Sequence, residues 1–164
     1  MRYTLTLCIL FFFTLSIPAG ELVKVEILES FKGKVVSVKD GDTIGIMMQG
    51  AEVRIRLLHI DAPEKNQAFG SKAKLVLSDL VFGKIIEVRW KSKDRYGRYL
   101  GELFLLNGLN INKEMVKLGY AWHFKKYSKD MSYDKLEKQA RTSKRGLWLD
   151  NNPIPPWQWR KTKK

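Results

Sequence analysis

Apolar and polar positions alternate from Phe31 to Lys39, with Val36 and Val38 set against Ser37 and Lys39, and the alternation resumes over Thr43 to Met48. A period of two is that of a half-buried strand. Gln49-Gly50 predicts a hairpin turn, and Ala51 to Ile60 a third strand in which Val53, Ile55 and Leu57 alternate with charged Arg54 and Arg56. The period changes at Phe69. Phe69, Ala73, Val76, Leu77, Leu80 and Val81 recur at helical spacing as far as Phe82, and Gly83 stands where a helix would be capped. Strands return over Lys84 to Lys91 and Arg98 to Leu106, joined by the polar turn Asp94-Arg95-Tyr96-Gly97.

Two further helices are expected, Asn110 to Leu118 ended by Gly119, and Ser132 to Lys144 ended by Gly146, the latter with Tyr133, Leu136 and Ala140 inward. The tail from Asn151 to Lys164 carries Pro153, Pro155 and Pro156 beside Trp157 and Trp159, a composition that predicts an extended, wrap-around segment rather than a helix. Five strands, with one helix between the third and fourth, fit a small Greek-key barrel of the OB type. The expected class is therefore α+β, mainly β: a five-stranded barrel with three helices and a Pro/Trp-rich C-terminal tail.

The first twenty residues have a different character. Arg2 is followed by an apolar run from Leu5 to Ile17 and then by Pro18-Ala19-Gly20, the layout of a secretory signal peptide. The run is short of the roughly 20 apolar residues of a membrane span. Export to the periplasm or the medium is expected, without stable membrane association after cleavage, and the domain is bounded as residues 21–150 with the basic tail at 151–164. The single cysteine, Cys8, lies inside this leader, so a chain beginning near Glu21 has no disulfide or thiolate metal site and depends on an ordinary core. About 140 residues suffice for one such domain, and a monomer is expected.

Thirty Lys and Arg against seventeen Asp and Glu give the whole chain +13, and loss of Arg2 with the leader leaves +12. An excess of this size favours an anionic partner but does not distinguish nucleic acid, membrane or acidic polysaccharide. The basic runs Lys72/Lys74, Lys125/Lys126 and Lys161/Lys163/Lys164 add at most nonspecific attraction to phosphates.

The acidic residues are more informative. Asp40-Gly41-Asp42-Thr43 lies where one strand turns into the next, and Asp61-Ala62-Pro63-Glu64 lies where the third strand ends, so two acidic clusters flank one hairpin. Either cluster alone is ordinary turn chemistry. Together with Arg56 between them and Arg98 after a Tyr-Gly turn, they form a set suited to phosphoryl chemistry: oxygens for a hard cation, guanidiniums for the phosphate, and a spare carboxylate for a water. Geometry imposes a condition. With a two-residue turn at Gln49-Gly50, Asp42 faces Leu57, and Asp61 lies roughly 13 Å farther along a straight strand, with Arg56 on the opposite face. The site closes only if the chain leaves the strand before Asp61.

Asp40-Gly41-Asp42-Thr43, Ile55-Arg56-Leu57-Leu58-His59-Ile60-Asp61-Ala62-Pro63-Glu64, Asp94-Arg95-Tyr96-Gly97-Arg98 and Arg145-Gly146-Leu147-Trp148, in this order, resemble the thermonuclease (staphylococcal nuclease-like) family, in particular its exported bacterial branch. The resemblance implies an OB-fold enzyme that hydrolyses DNA and RNA with Ca2+, leaving 3'-phosphate and 5'-hydroxyl ends. By position it implies calcium ligation by the carboxylates of Asp42 and Asp61 and the backbone carbonyl of Ala62, which stands where the best-known member has threonine. It further implies Glu64 as general base, Arg56 and Arg98 as phosphate and transition-state ligands, and Arg95, Tyr96 and Tyr127 as substrate contacts.

Other readings compete. A noncatalytic OB module that binds single strands or another polyanion would need neither Glu64 nor the arginine pair. An adhesive surface protein is favoured by the tail alone. His59, flanked by Leu58 and Ile60, reads as a mid-strand structural histidine rather than a base. His123, among aromatic residues, reads as part of the packing of the late helices.

Overall fold

The computed structural model describes residues 29–162. The leader expected over residues 1–20 lies outside the described residues. The chain runs through β1 (Glu29–Val38), β2 (Thr43–Met48), β3 (Ala51–Leu57), a two-residue β4 (Ile60–Asp61), α1 (Gly70–Val81), β5 (Ile85–Lys93), β6 (Tyr99–Leu105), α2 (Ile111–Lys117), a two-residue β7 (Trp122–His123), α3 (Met131–Thr142) and α4 (Pro156–Thr162). Strands β1, β2, β3, β6 and β5 close a barrel in that order. The neighbours are antiparallel except β3 and β6, which pair in parallel with Ile55 opposite Tyr99. This is the OB-type barrel.

Ile44, Ile46, Ile55, Leu57, Ile86, Val88 and Leu103 fill the barrel, and α1 closes one end with Ala73, Leu77 and Val81, all essentially inaccessible. Each of the Val, Leu and Ile side chains contributes about 1.5–3 kcal/mol by leaving water. Alternation fails at one place. A bulge between Val35 and Ser37 shifts the register against β2, so Val35, not Val36, joins the core before Val38 packs on it. An extra residue in one strand reverses the facing of all that follow.

Two devices, one polar and one steric, fix the framework around the site. Buried Asn112 of α2 accepts from the Leu103 N–H at 3.0 Å and donates to the Leu58 and Gly101 carbonyls at 3.0 and 3.1 Å, pinning the helix to β6 and to the residue where the chain leaves β3. Gly70 allows α1 to begin against the loop that carries Glu64, because a Cβ there would collide with the Glu64 carbonyl.

Three boundaries differ from expectation. The third strand ends at Leu57 rather than Ile60, and His59 lies in a turn with φ 69°. Helix α3 ends at Thr142: Lys144 takes φ 48°, Arg145 N–H returns to the Ala140 carbonyl, and Gly146 opens a 3-10 turn instead of closing the helix. The tail is not wholly extended, since Pro156–Thr162 is a fourth helix. Its prolines stop short of the interior. Pro155 accepts from the N–H groups of Gln158 and Trp159, and Pro156 takes the first helical position, where a missing N–H costs nothing.

Candidate functional site

The site is made by the bend after β3. Leu57 N–H donates to the Asp42 carbonyl at 2.9 Å, so Asp42 does face Leu57, as the hairpin count requires. The chain then turns out of the barrel at Leu58 and His59, and Ile60 and Asp61 pair with His123 and Trp122 of β7 instead of continuing along β2. This swings Asp61 back over the barrel mouth. Arg56 Nη2 lies 3.0 Å from Asp42 Oδ2 and 2.9 Å from Asp61 Oδ1, while its Nη1 donates to the carbonyls of Leu57 and Ile60 at 2.7 and 3.0 Å. Two carboxylates far apart on a straight ribbon thus meet on one guanidinium, which also donates to two carbonyls of the bend.

Both carboxylates are withdrawn from water. Asp61 is 1% exposed, and Arg56 is 15% exposed. Burial pushes the Asp42 carboxyl up to about 7, against the opposing pull of Arg56 and of the Ala62 N–H, which donates to Asp42 Oδ2 at 2.7 Å. A cation placed beside it would favour the ionised form and draw it down again.

Glu64 stands at the edge of this floor, half-exposed, and it is here that the structure adds a residue the motifs did not contain. Arg160 of α4 donates from Nη2 to Asp61 Oδ2 at 2.7 Å, and from Nη1 to Asp61 Oδ1 at 3.2 Å and Glu64 Oε1 at 2.7 Å. Hydrogen bonds to Asp61, and secondarily to Glu64, hold its guanidinium firmly protonated. Among the described residues no three acidic, histidine or cysteine side chains draw together as a ready metal cage. The carboxylates are distributed over two guanidiniums instead.

The opposite wall is the β5–β6 loop. Asp94 Oδ1 accepts from the N–H groups of Tyr96 and Arg98 at 2.9 and 3.0 Å, and its Oδ2 holds Arg98 at 2.7–2.8 Å. Burial pushes the Asp94 carboxyl up, yet these donors hold it below its usual range. Arg95 lies over the Tyr96 ring at 4.8 Å and donates to its hydroxyl at 2.7 Å. Tyr96 and Tyr127 are largely exposed. The residues singled out in the sequence, Asp42, Arg56, Asp61, Ala62, Glu64, Arg95, Tyr96, Arg98 and Tyr127, all line one cleft of about 780 Å³, together with Phe124 and Arg160.

The tail reaches the cleft through aromatic contacts. Trp157 stacks on Phe124, centroids 5.4 Å apart and planes 8° apart, and meets Trp122 edge-on at 5.6 Å. Trp122 packs on Trp148 at 4.5 Å, and the Gln67 amide donates to the Ile154 carbonyl at 2.6 Å. The Arg145-Gly146-Leu147-Trp148 motif is therefore a packing device: it places the indole on which this wall of the site rests. His59 lines the cleft as well, whereas His123 does not. His59 Nδ1 is 2.9 Å from Ser128 Oγ, and His123 is buried against the Tyr133 ring.

A five-stranded barrel with carboxylates and arginines gathered at one mouth, facing an exposed basic and aromatic loop, defines a protein built around an anionic ligand. Comparison makes this specific. Residues 54–150 match the staphylococcal nuclease homologue family, and the chain belongs to that family. It is 47% identical to an uncharacterized endonuclease of Escherichia coli over 131 residues, 80% of this chain and 86% of the relative. It is 48% identical to an uncharacterized endonuclease of Haemophilus influenzae over 132 residues, 80% and 74% of the two chains, and 41% identical to a micrococcal nuclease of Shigella flexneri over 153 residues, 87% and 88%.

Proposed function

We propose that this chain, a phosphodiester hydrolase by its family, is a calcium-dependent, sugar-nonspecific nuclease that cuts DNA and RNA to 3'-phosphate and 5'-hydroxyl ends. The observation that supports this most is the convergence of Asp42 and Asp61 on Arg56 at the floor of a cleft whose other wall carries Arg95, Tyr96 and Arg98. The donor set is all oxygen, which suits a hard cation: the Asp42 and Asp61 carboxylates and the Ala62 carbonyl would hold it. When bound, calcium supplies positive charge beside the phosphate and polarises water.

The protein's own groups do the rest. Arg56 and Arg98 bind the non-bridging phosphate oxygens and stabilise the charge that grows on them as water attacks, a contribution large in a site withdrawn from solvent. Glu64, half-exposed at the rim, takes the proton of the attacking water. The bond from phosphorus to the 5' oxygen breaks, that oxygen leaves as the hydroxyl with a proton from solvent water, and Glu64 returns its own proton to solvent. Arg95 and Tyr96 hold a neighbouring phosphate, and Tyr127 offers a ring face to a base. Contacts to phosphate and ring faces are blind to sugar, which supports action on both polymers. We extend the reading to export, from the leader-like layout of residues 1–20.

The test is digestion of end-labelled DNA and RNA by the purified mature chain with millimolar calcium, with and without chelator, and identification of the product ends. Cleavage of both polymers that chelator abolishes is expected. A mobility shift that survives chelation, with both polymers intact, would establish the noncatalytic module instead.

A further inference from the structure

Arg160 holds Asp61 by a two-point fork and reaches Glu64 with the same guanidinium. Those are a carboxylate assigned above to the cation and the carboxylate assigned to the attacking water. We propose that Arg160 is a tethered counter-ion which occupies the carboxylates of the metal-free protein, competes with the divalent cation for Asp61, and is displaced when the cation binds. The proposal rests on the calcium reading given above.

Charge supplies the first reason. Asp40, Asp42, Asp61 and Glu64 line the cleft, with the Arg56 and Arg160 guanidiniums set among them. A divalent ion held by Asp61 would stand beside the Arg160 guanidinium hydrogen-bonded to that same carboxylate. With Arg160 withdrawn, the repulsion between ion and guanidinium is removed. Oxygen occupancy supplies the second. Both Asp61 oxygens are engaged by Arg160, and the rim oxygen of Glu64 accepts its third bond, so neither carboxylate is fully available while the guanidinium stays.

The third reason is that Arg160 can leave and Arg56 cannot. Arg56 is 15% exposed on a barrel strand and also satisfies the carbonyls of Leu57 and Ile60. Arg160 is 42% exposed on a seven-residue helix at the rim, seated by buried Pro156 and by Trp157 on Phe124 and Trp122. Its release exposes one long, water-compatible side chain and leaves the barrel intact.

Titration calorimetry of calcium chloride into the metal-free mature chain at low salt tests this without any nucleic acid. The Arg160→Gln variant is expected to bind calcium about five- to tenfold more tightly than the parent. Arg160→Lys, which keeps the charge but loses the fork, should fall between them, and it serves if the glutamine variant does not fold. Equal affinity in parent and variants overturns the competition and leaves the calcium reading standing. Weaker binding in the variants overturns it too and makes Arg160 a support of the cation site. Absence of binding in every chain overturns the calcium reading and the competition together.

Discussion

The two walls of the cleft carry similar chemistry on different foundations. On the floor, buried Asp42 and Asp61 interlock with the largely covered Arg56, and the guanidinium also donates to carbonyls of the bend that brings Asp61 into place. On the loop wall, Arg98 is held by Asp94, whose side chain also shapes the turn, within five residues and close to solvent. The floor is therefore part of the fold, whereas the loop wall is a local attachment to it. Chemistry and stability should be inseparable on the floor and separable on the loop.

The largest effect is expected for Arg56→Ala. Turnover on DNA should fall by about two to three orders of magnitude through lost transition-state stabilisation. Stability should fall as well, by about 3 kcal/mol in urea unfolding, because two buried carboxylates lose their shared partner. Arg98→Ala should lower turnover by about two orders of magnitude with a change in unfolding free energy below about 1 kcal/mol, since its ion pair is partly solvated. Equal stability losses in the two variants would break the comparison.

Asn112→Ala probes the bend from outside the cleft. It leaves the Leu103 N–H and the Leu58 and Gly101 carbonyls without their side-chain partner and should cost about 2–3 kcal/mol. If the bend positions Asp61, activity at saturating substrate should fall severalfold even where the variant is fully folded by circular dichroism. Unchanged turnover would show that the β4–β7 pairing is sufficient to hold it.

The smallest effect concerns His123, which pairs with Ile60 in the strand beneath Asp61. Burial depresses its pKa, and neither ring nitrogen has a hydrogen-bond partner. Because the unfolded chain binds the proton more readily, this histidine's contribution is fully present above the ordinary value of about 6.5 and is lost as pH falls below it. Unfolding in urea at pH 7.5 and 5.5 should show the parent losing more stability on acidification than His123→Phe, by about 1 kcal/mol. Parallel losses would remove His123 as the cause.

Periodicity placed the five barrel strands and the first three helices to within a few residues, because each element pairs a patterned face with the core or ends at a glycine that permits a turn. It failed where the chain departs from regularity. The bulge at Val36 reverses a strand's facing without any compositional mark, and the left-handed turn at His59 uses a residue that reads as strand. The Pro/Trp tail misled in the other sense: its prolines exclude a helix from their own interior, yet they stand at the position where a helix begins.

The sequence alone supplied the candidates for the site, Asp42, Arg56, Asp61, Glu64 and Arg98, since these types stand in spaced motifs whose chemistry suits a phosphodiester. It also stated the condition on which the site depends, a bend before Asp61. Only tertiary structure supplied that bend, through pairing of β4 with β7 and the Asn112 staple, contacts between residues 54 or more positions apart. Only it brought Arg160 to Asp61, across 99 positions, on a helix seated by Trp157. Local pattern reports what each residue can do within a turn or a strand. Which charges finally face one another depends on long-range packing, which no window along the chain contains.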